Sequence, residues 1–184
     1  MTLTAERIYT PEELLGDPAL EGHELIDGHL RERPVSKRSS LIGGEILSLL
    51  RNEARKTGEA KVYPNDLGYH CFPDSPNTVR FPDVSVVRTS RDREAGDDPG
   101  YMPIPADLAV EVLSPNDRIF DVDDKVASYL KAGFGVVWVV NPRWRHVHIY
   151  RPDGTVQLLS DREEITGGAA LPGFRCRVAE FFDV

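Results

Sequence analysis

The chain has 184 residues, of which 40% are hydrophobic and 28% are charged, an ordinary balance for a folded domain with its own core. Its formal net charge of −8 argues against binding nucleic acid through a broadly basic surface, because phosphate neutralisation requires Lys and Arg. The sequence contains neither an apolar run near the roughly 20 residues of a membrane helix nor the basic start and apolar block of a secretory signal, so it predicts a cytoplasmic protein with no membrane segment.

The first half of the chain predicts a short helix, a hairpin, a longer helix and two strands. In chain order the segments are TPEELL (helix), HELIDGHLRERP (hairpin turning at Asp27-Gly28), SSLIGGEILSLLRNEARKTG (amphipathic helix), AKVYPNDLGYHCF (strand) and TVRFPDVSVV (strand). The hairpin is indicated by alternation around an Asp-Gly turn. The longer helix is indicated by apolar residues that recur on one face and by Gly58 just past its end.

The second half opens with residues 88–106, which are charged and contain Gly and Pro, and which therefore predict a loop. The segments that follow are DLAVEVL (strand), residues 121–132 (helix ended by Gly133), GVVWVVN (strand buried on both faces), HVHIYRPDGTVQLLS (hairpin) and VAEFFDV (a last helical turn). One strand–helix–strand unit among these elements favours a single α/β domain over residues 1–184, with a mixed central β-sheet flanked by α-helices.

Two acidic residues stand inside apolar strands. Glu111 lies within DLAVEVL, on the strand face opposite to Val110 and Val112, and Asp83 lies within FPDVSVV. A carboxylate in such surroundings is costly unless something pairs with it. If the two strands lie side by side, we expect Asp83 and Glu111 to converge at one end of the sheet.

A divalent cation would relieve the repulsion between two converging carboxylates, each of which raises the pKa of the other. Hard oxygen ligands suit Mg²⁺, and Mn²⁺ is the alternative. On the following helix Asp121, Lys125 and Tyr129 recur at four-residue spacing and share one stripe. The ammonium group of Lys125 is therefore expected at the rim of the sheet, where it would orient or deprotonate a water or neutralise a phosphate.

Basic residues cluster at two places in the sequence, Arg31, Arg33, Lys37 and Arg38 in the first half and Arg143, Arg145 and Arg151 in the second. Each cluster fits a local basic groove or a solvated surface, and the sequence leaves both interpretations open.

The segments FPDVSVV and DLAVEVLSPNDRIFDVDDKVASYLKAGFGVVWVVNP resemble the Uma-type restriction endonuclease family, which belongs to the PD-(D/E)XK nuclease superfamily. HELIDGHL near the start and LPGFRCRVAEFF near the end are similar to that family's flanking segments, so the resemblance covers nearly the whole chain. It implies a restriction-endonuclease-like α/β fold and a metal-dependent nuclease core.

The resemblance also implies roles for individual residues. Asp83 would take the superfamily's first acidic position, within its Pro-Asp pair, and Glu111 would take the second, both as catalytic residues and metal ligands. The superfamily's usual lysine follows two residues after the second acid, where this chain has Leu113. The resemblance places the corresponding catalytic lysine on the following helix, at Lys125.

Four other acids are candidates for supporting these groups. An acid from an early helix sometimes completes such sites, and Glu45 is a candidate, as is Glu24, for which a role in the hairpin turn is equally suitable. Asp107 shares the strand face of the second acid and is either a supporting group or the polar start of the strand. Asp121 is expected to orient the helix lysine or to cap the helix rather than to bind metal.

The function that the sequence favours is a Mg²⁺- or Mn²⁺-dependent endonuclease that hydrolyses phosphodiester bonds in DNA. The alternatives are an inactive nuclease-fold module that binds nucleic acid or protein, and a phosphodiesterase acting on RNA. A homodimer would supply the two sites that double-strand cutting needs, and the apolar EFF near the C-terminus is a candidate for its contact.

Overall fold

The structure is a computed structural model that describes residues 7–33, 36–97 and 99–184. The α-helices in this part of the chain are α1 (Pro11–Gly16), α2 (Lys37–Thr57), α3 (Thr89–Ala95) and α4 (Ile119–Lys131). The strands are β1 (His23–Ile26), β2 (His29–Glu32), β3 (Ala60–Pro64), β4 (Val84–Arg88), β5 (Leu108–Val112), β6 (Val137–Asn141), β7 (His146–Tyr150), β8 (Val156–Ser160), β9 (Glu164–Thr166) and β10 (Arg175–Arg177). Across the described residues, no helix has both the length and the apolar character that crossing a membrane requires.

Six strands form one mixed sheet in the order β3-β4-β5-β6-β7-β8. Strands β5 and β6 are parallel and are joined by α4, as the strand–helix–strand pattern predicts, whereas the other neighbouring pairs are antiparallel. Two small antiparallel pairs, β1-β2 and β9-β10, lie outside this sheet. The prediction of a mixed central sheet flanked by helices is therefore confirmed.

A long helix covers each face of the sheet. On one face the buried residues of α2 pack in the same cluster as Val110, and on the other face Val126 and Tyr129 of α4 pack in the same cluster as Ala109. Burial of an aliphatic side chain contributes about 1.5–3 kcal/mol, so these apolar stripes fix both helices on the sheet. Because Ala109 and Glu111 share a strand face, Glu111 points towards α4.

The ends of α2 agree with its sequence. The side chain of Ser36 caps the first turn by accepting the N–H of Ser39 at 3.1 Å. Gly58 ends the helix in the left-handed conformation, with φ of 70°, which glycine adopts without steric cost. Within α2, an added Cβ at Gly43 would lie 4.0 Å from the Cβ of Asp83, so the absence of a side chain at Gly43 lets the helix pass close to that acid.

The predicted hairpin forms from β1 and β2 and turns at Asp27 and Gly28, whose φ angles are 49° and 82°. Leu25 of β1 exchanges two backbone hydrogen bonds of 3.0 and 2.8 Å with Val79. The hairpin is thereby held beside the segment that leads into β4. This contact brings Glu24, the neighbour of Leu25, to the end of the central sheet.

The prediction of a loop over residues 88–106 is wrong in its first part, which forms α3. Helix α3 has no buried residue and is held by polar contacts. Tyr63 donates a hydrogen bond to Asp92, and Arg91 donates one of 2.9 Å to the carbonyl oxygen of Pro105. A helix without an apolar stripe gives no periodic signal, so its charged composition indicated a loop.

The last helical turn predicted at the C-terminus is the 3₁₀ helix Val178–Phe182. Phe181 and Phe182 are buried in the core, and the ring centroid of Phe181 lies 6.1 Å from that of Trp138. These two aromatic residues therefore do not offer an exposed surface, which corrects the expectation that they contribute to a dimer contact.

Candidate active site

A cleft of about 510 Å³ opens at one end of the central sheet. Its walls come from the β1–β2 hairpin, the segment that leads into β4, the end of β5 and the first turns of α4. Asp83, Glu111 and Lys125 all line this cleft. The structure therefore brings together the three residues that the sequence predicted as catalytic.

The pairing of β4 with β5 places the two acids at the same end of the sheet. Strands β4 and β5 are antiparallel with Val84 opposite Val110. Asp83 directly precedes β4 and Glu111 directly follows Val110, so both acids lie just beyond this pair. The carboxylate of Asp83 is fixed by the backbone of β5, because its Oδ2 accepts a hydrogen bond of 2.7 Å from the N–H of Val112. The predicted convergence of the two acidic residues follows from this pairing.

Helix α4 brings a lysine and a tyrosine to Glu111. The Nζ atom of Lys125 lies 2.9 Å from Oε2 of Glu111, and the hydroxyl of Tyr129 donates a hydrogen bond of 2.8 Å to Oε1 of the same carboxylate. The two residues are four apart and lie on one face of the helix. Leu113 also lines the cleft, at the strand position where the nuclease resemblance leads one to expect a lysine. The lysine of this chain therefore reaches Glu111 from the helix instead.

Glu24 completes the group, although the sequence left its role open between the site and the hairpin turn. It is 6% exposed, and its Oε1 lies 2.8 Å from Nζ of Lys125. Its two oxygens also accept hydrogen bonds from the N–H of Phe81 at 3.2 Å and from NH1 of Arg80 at 3.3 Å. Sequence reasoning missed Arg80, whose only signal is a cation within the apolar run that precedes Asp83.

Negative charge is poorly compensated at Asp83 and Glu111. Burial raises the pKa of Asp83, and the hydrogen bond from Val112 opposes this shift without cancelling it. Burial also raises the pKa of Glu111 to about 7, and the nearby charge of Asp83 adds to the shift although Lys125 opposes it. The cleft therefore favours a further positive charge beside these two acids.

The charges of Glu24 and Lys125, which form an ion pair in the cleft, are better compensated. Burial acts to raise the pKa of Glu24, but the charges of Lys125 and Arg80 outweigh it and hold that pKa below its ordinary value. Burial acts to lower the pKa of Lys125, but the charges of Glu111 and Glu24 outweigh it, so the pKa of this lysine is raised. Near neutral pH, Glu24 is thus a carboxylate and Lys125 an ammonium group.

The oxygen donors of the cleft fit a hard divalent cation. Within residues 7–33, 36–97 and 99–184, no group of three or more His, Cys, Asp or Glu is arranged to hold a metal ion. Mg²⁺, however, usually takes only one or two protein carboxylates and completes its shell with water and substrate phosphate oxygens. Asp83 and Glu111 match that smaller requirement, and burial raises the pKa of both, so that either a proton or a cation would relieve their negative charge.

Two of the three other candidate acids, Asp107 and Glu45, lie outside the cleft. Asp107 stands at the far end of β5, about 13 Å from the second acid at 3.3 Å per residue, and forms ion pairs of 3.0 and 2.8 Å with Arg88 and Arg91. It is therefore a structural acid at the start of the strand. Glu45 lies on α2 outside the cleft lining, because it points about 200° away from Gly43, the residue that faces the sheet.

Asp121 does line the cleft, but it is exposed. Within the described residues, Lys125 forms ion pairs with Glu24 and Glu111. The expectation that Asp121 orients the lysine is therefore corrected, since the two buried glutamates do so. Asp121 belongs to the first turn of α4, where a negative charge is favourable.

Comparisons with known proteins agree with this architecture. The chain is similar to the crystal structure of a protein titled a putative nuclease of the family DUF820 from Anabaena variabilis ATCC 29413, with a TM-score of 0.78 and 22% identity over 94% of this chain and 97% of that one. This likeness confirms the predicted nuclease-like fold. Among curated proteins, none matches this chain.

A family model gives the assignment. The model named Uma2 and described as "Putative restriction endonuclease" matches residues 10–179, a stretch that includes every residue of the cleft discussed above. Since the match extends over most of the sequence, the chain belongs to the Uma2 family.

Proposed function

We propose that the protein is a metal-dependent endonuclease that hydrolyses phosphodiester bonds in DNA. The observation that carries this proposal is the pair of carboxylates, Asp83 and Glu111, that line one cleft at the same end of β4 and β5, with the ammonium group of Lys125 at 2.9 Å from the second. Membership of a family described as "Putative restriction endonuclease", and the fold shared with a protein described as "a putative nuclease", support the same assignment.

The charge of the cleft explains why a cation is needed. Seven carboxylate side chains line it against four cationic ones, so a polyanionic substrate would be repelled by the lining alone. Asp83 and Glu111 would hold Mg²⁺ or Mn²⁺. When bound, such an ion polarises the phosphate and lowers the pKa of a bound water.

The residues around the acids have separate tasks. Lys125 is charged, because both neighbouring glutamates raise its pKa. It would therefore offset the negative charge that develops on the phosphate, or orient a water, rather than act as a base. Tyr129 holds the carboxylate of Glu111 in position through its 2.8 Å hydrogen bond, and Glu24 holds the lysine.

The proposal is tested by incubating supercoiled plasmid DNA with the full chain in Mg²⁺, Mn²⁺ or EDTA. We expect nicking or linearisation with either metal and none in EDTA. The variants Asp83→Asn, Glu111→Gln and Lys125→Met should each lose at least about 100-fold in rate. Glu45→Gln is the matched control, since it makes the same chemical change outside the cleft. Cleavage that survives all three substitutions in the cleft would place the chemistry elsewhere.

Two outcomes of the same experiment identify the alternatives. Metal-dependent cleavage of RNA in preference to DNA would make the protein a ribonucleic acid phosphodiesterase. Binding of nucleic acid that is undiminished in EDTA, without cleavage in any metal, would indicate an inactive binding module. A homodimer, which would present two clefts to the two strands, predicts a mass of twice 20.6 kDa in light scattering.

A further inference from the structure

The cationic side chains of the cleft are not spread evenly over its lining. Arg31 and Arg33 come from β2 and the residue just after it, and Arg80 comes from the segment that leads into β4. The carboxylates of Asp117 and Asp121 come instead from the loop before α4 and its first turn. The hairpin also contributes Glu24 and Glu32, and α4 also contributes Asp124 and Lys125. A polyanion entering the cleft is therefore repelled less on the arginine side than on the α4 side.

Arg80 is a buried cation with unused hydrogen-bonding capacity. Its side chain is 7% exposed, and within the described part of the chain its NH1 donates one hydrogen bond, of 3.3 Å, to Glu24. Its Nε is buried without a hydrogen-bond partner among the described residues. Native proteins leave few buried N–H groups unpaired. Because Arg80 lines the cleft and has a donor that the protein leaves unpaired, this cation is a candidate partner for an anion.

Arg33 has the same feature in the same cleft. Its Nε is also buried without a partner among the residues that the structure describes. Its guanidinium lies over the ring of Phe81 at 4.4 Å from the centroid, and its NH1 donates a hydrogen bond of 2.7 Å to the carbonyl oxygen of Asn65. These contacts hold the guanidinium plane in place, and neither of them pairs Nε. Arginine binds a phosphate in bidentate fashion through two of its N–H groups.

We propose that Arg33 and Arg80 form a phosphate-binding subsite, separate from the acid pair, that receives a non-scissile phosphate of the substrate strand. This inference rests on the proposed nuclease function and makes it more specific. A ligand that fills both this subsite and the acid pair must carry at least two phosphates. A polynucleotide meets this requirement, whereas a phosphodiester with a single phosphate does not.

The test measures binding rather than cleavage. A fluorescent 20-base-pair DNA duplex is titrated with the full chain in Ca²⁺ at several salt concentrations, for wild type, Arg33→Ala and Arg33→Lys. Arg33→Ala should weaken binding about tenfold, equally for unrelated duplex sequences, and should reduce the slope of log K against log salt by about one. Arg33→Lys should keep the slope but bind more weakly than wild type, because lysine cannot form the bidentate contact.

The matched control is Arg143→Ala, which removes an exposed arginine outside the cleft and should leave affinity and slope unchanged. Thermal melting verifies that Arg33→Ala is folded. Arg80→Ala is a poorer test, because it also removes a partner of the buried Glu24. Unchanged affinity and slope in Arg33→Ala, or no duplex binding by wild type, would overturn the subsite. If wild type binds DNA through Arg33 but cleaves nothing in any metal, the subsite stands and the nuclease proposal fails.

Discussion

The N–H of Val112 donates a hydrogen bond of 2.7 Å to the carboxylate of Asp83, so the backbone of one strand fixes the acid of its neighbour. This contact separates the structural role of Asp83 from its proposed catalytic role. An asparagine at position 83 keeps an oxygen acceptor for the N–H and removes only the charge, whereas an alanine removes both.

We therefore expect Asp83→Ala to be less stable than Asp83→Asn by about 1–2 kcal/mol, the cost of leaving a buried N–H unpaired. Asp83→Asn should be at least as stable as wild type, because burial raises the pKa of this carboxyl and so disfavours its charge. Urea denaturation at pH 7 without metal measures both differences. Equal stability of the two variants would contradict the role of the hydrogen bond.

The ion pairs of Lys125 predict strong coupling with Glu24. The two groups are 2.8 Å apart, and their side chains are 20% and 8% exposed. Removing one partner of a buried pair typically costs about 3–5 kcal/mol, and we expect about 2–4 kcal/mol for Lys125→Met because this lysine retains some exposure. The double variant Glu24→Gln/Lys125→Met should lose at least 1 kcal/mol less than the sum of the single losses.

The control for this cycle is Lys131→Met on the same helix. Lys131 pairs with Asp74 at 3.1 Å, but both side chains are more than 60% exposed, so its loss should change the free energy of unfolding very little. Strict additivity of the Glu24 and Lys125 substitutions would show that the two charges do not interact.

The acid pair predicts an unusual dependence of stability on pH in the metal-free protein. Burial raises the pKa of Glu111 from 4.5 to about 7. A group whose pKa is higher in the folded state stabilises the fold fully below its unfolded value and loses that contribution as pH rises through the folded value. Relative to Glu111→Gln, wild type should thus lose about 2–4 kcal/mol of stability between pH 4.5 and pH 8.

Guanidinium denaturation of both proteins in EDTA at half-unit pH steps measures this difference, with Glu45→Gln as the control outside the cleft. Glu24 does not reverse the trend, because its lowered pKa confines its effect to lower pH. A difference that stays flat, or that grows in favour of wild type as pH rises, would show that Glu111 is not held in a charge-disfavouring site.

Two glycines give opposite predictions for the same substitution. A Cβ at Gly135 would lie 2.5 Å from the carbonyl oxygen of Asp107, and backbone atoms cannot yield cheaply, so Gly135→Ala should cost about 1–3 kcal/mol. Gly44 lies on the exposed side of α2 with nothing within 4 Å of the added atom, and Gly44→Ala should stabilise the protein by about 0.5–1 kcal/mol. Urea midpoints of the two variants on opposite sides of wild type would agree with this expectation, and a shared direction would contradict it.

Much of the fold and the central part of the site follow from local patterns in the sequence. Alternation along β5 separates Glu111 from the core residues on the other face, and four-residue spacing on α4 places Lys125 and Tyr129 on one stripe. These periodicities are set by backbone geometry alone. The prediction that Asp83 and Glu111 converge also needed the assumption that β4 and β5 are neighbours, which the structure confirms.

The parts that the sequence did not determine depend on contacts between distant segments. Glu24 reaches the cleft because Leu25 pairs with Val79. No local sequence pattern predicts a bridge between these two distant segments. Glu45 was a reasonable candidate by composition, but the rotation of α2 that points Gly43 at the sheet turns this acid away. Helix α3 lacked an apolar stripe altogether, so its formation depends on polar tertiary contacts.

Glu24, Asp83, Glu111 and Lys125 line the cleft but come from successive parts of the chain. Glu24 belongs to the early β1–β2 hairpin, and Lys125 belongs to α4, which follows β5. A polypeptide still emerging from the ribosome cannot assemble this arrangement before α4 has been synthesised and has docked. The cleft therefore forms only after synthesis has passed residue 131, where α4 ends.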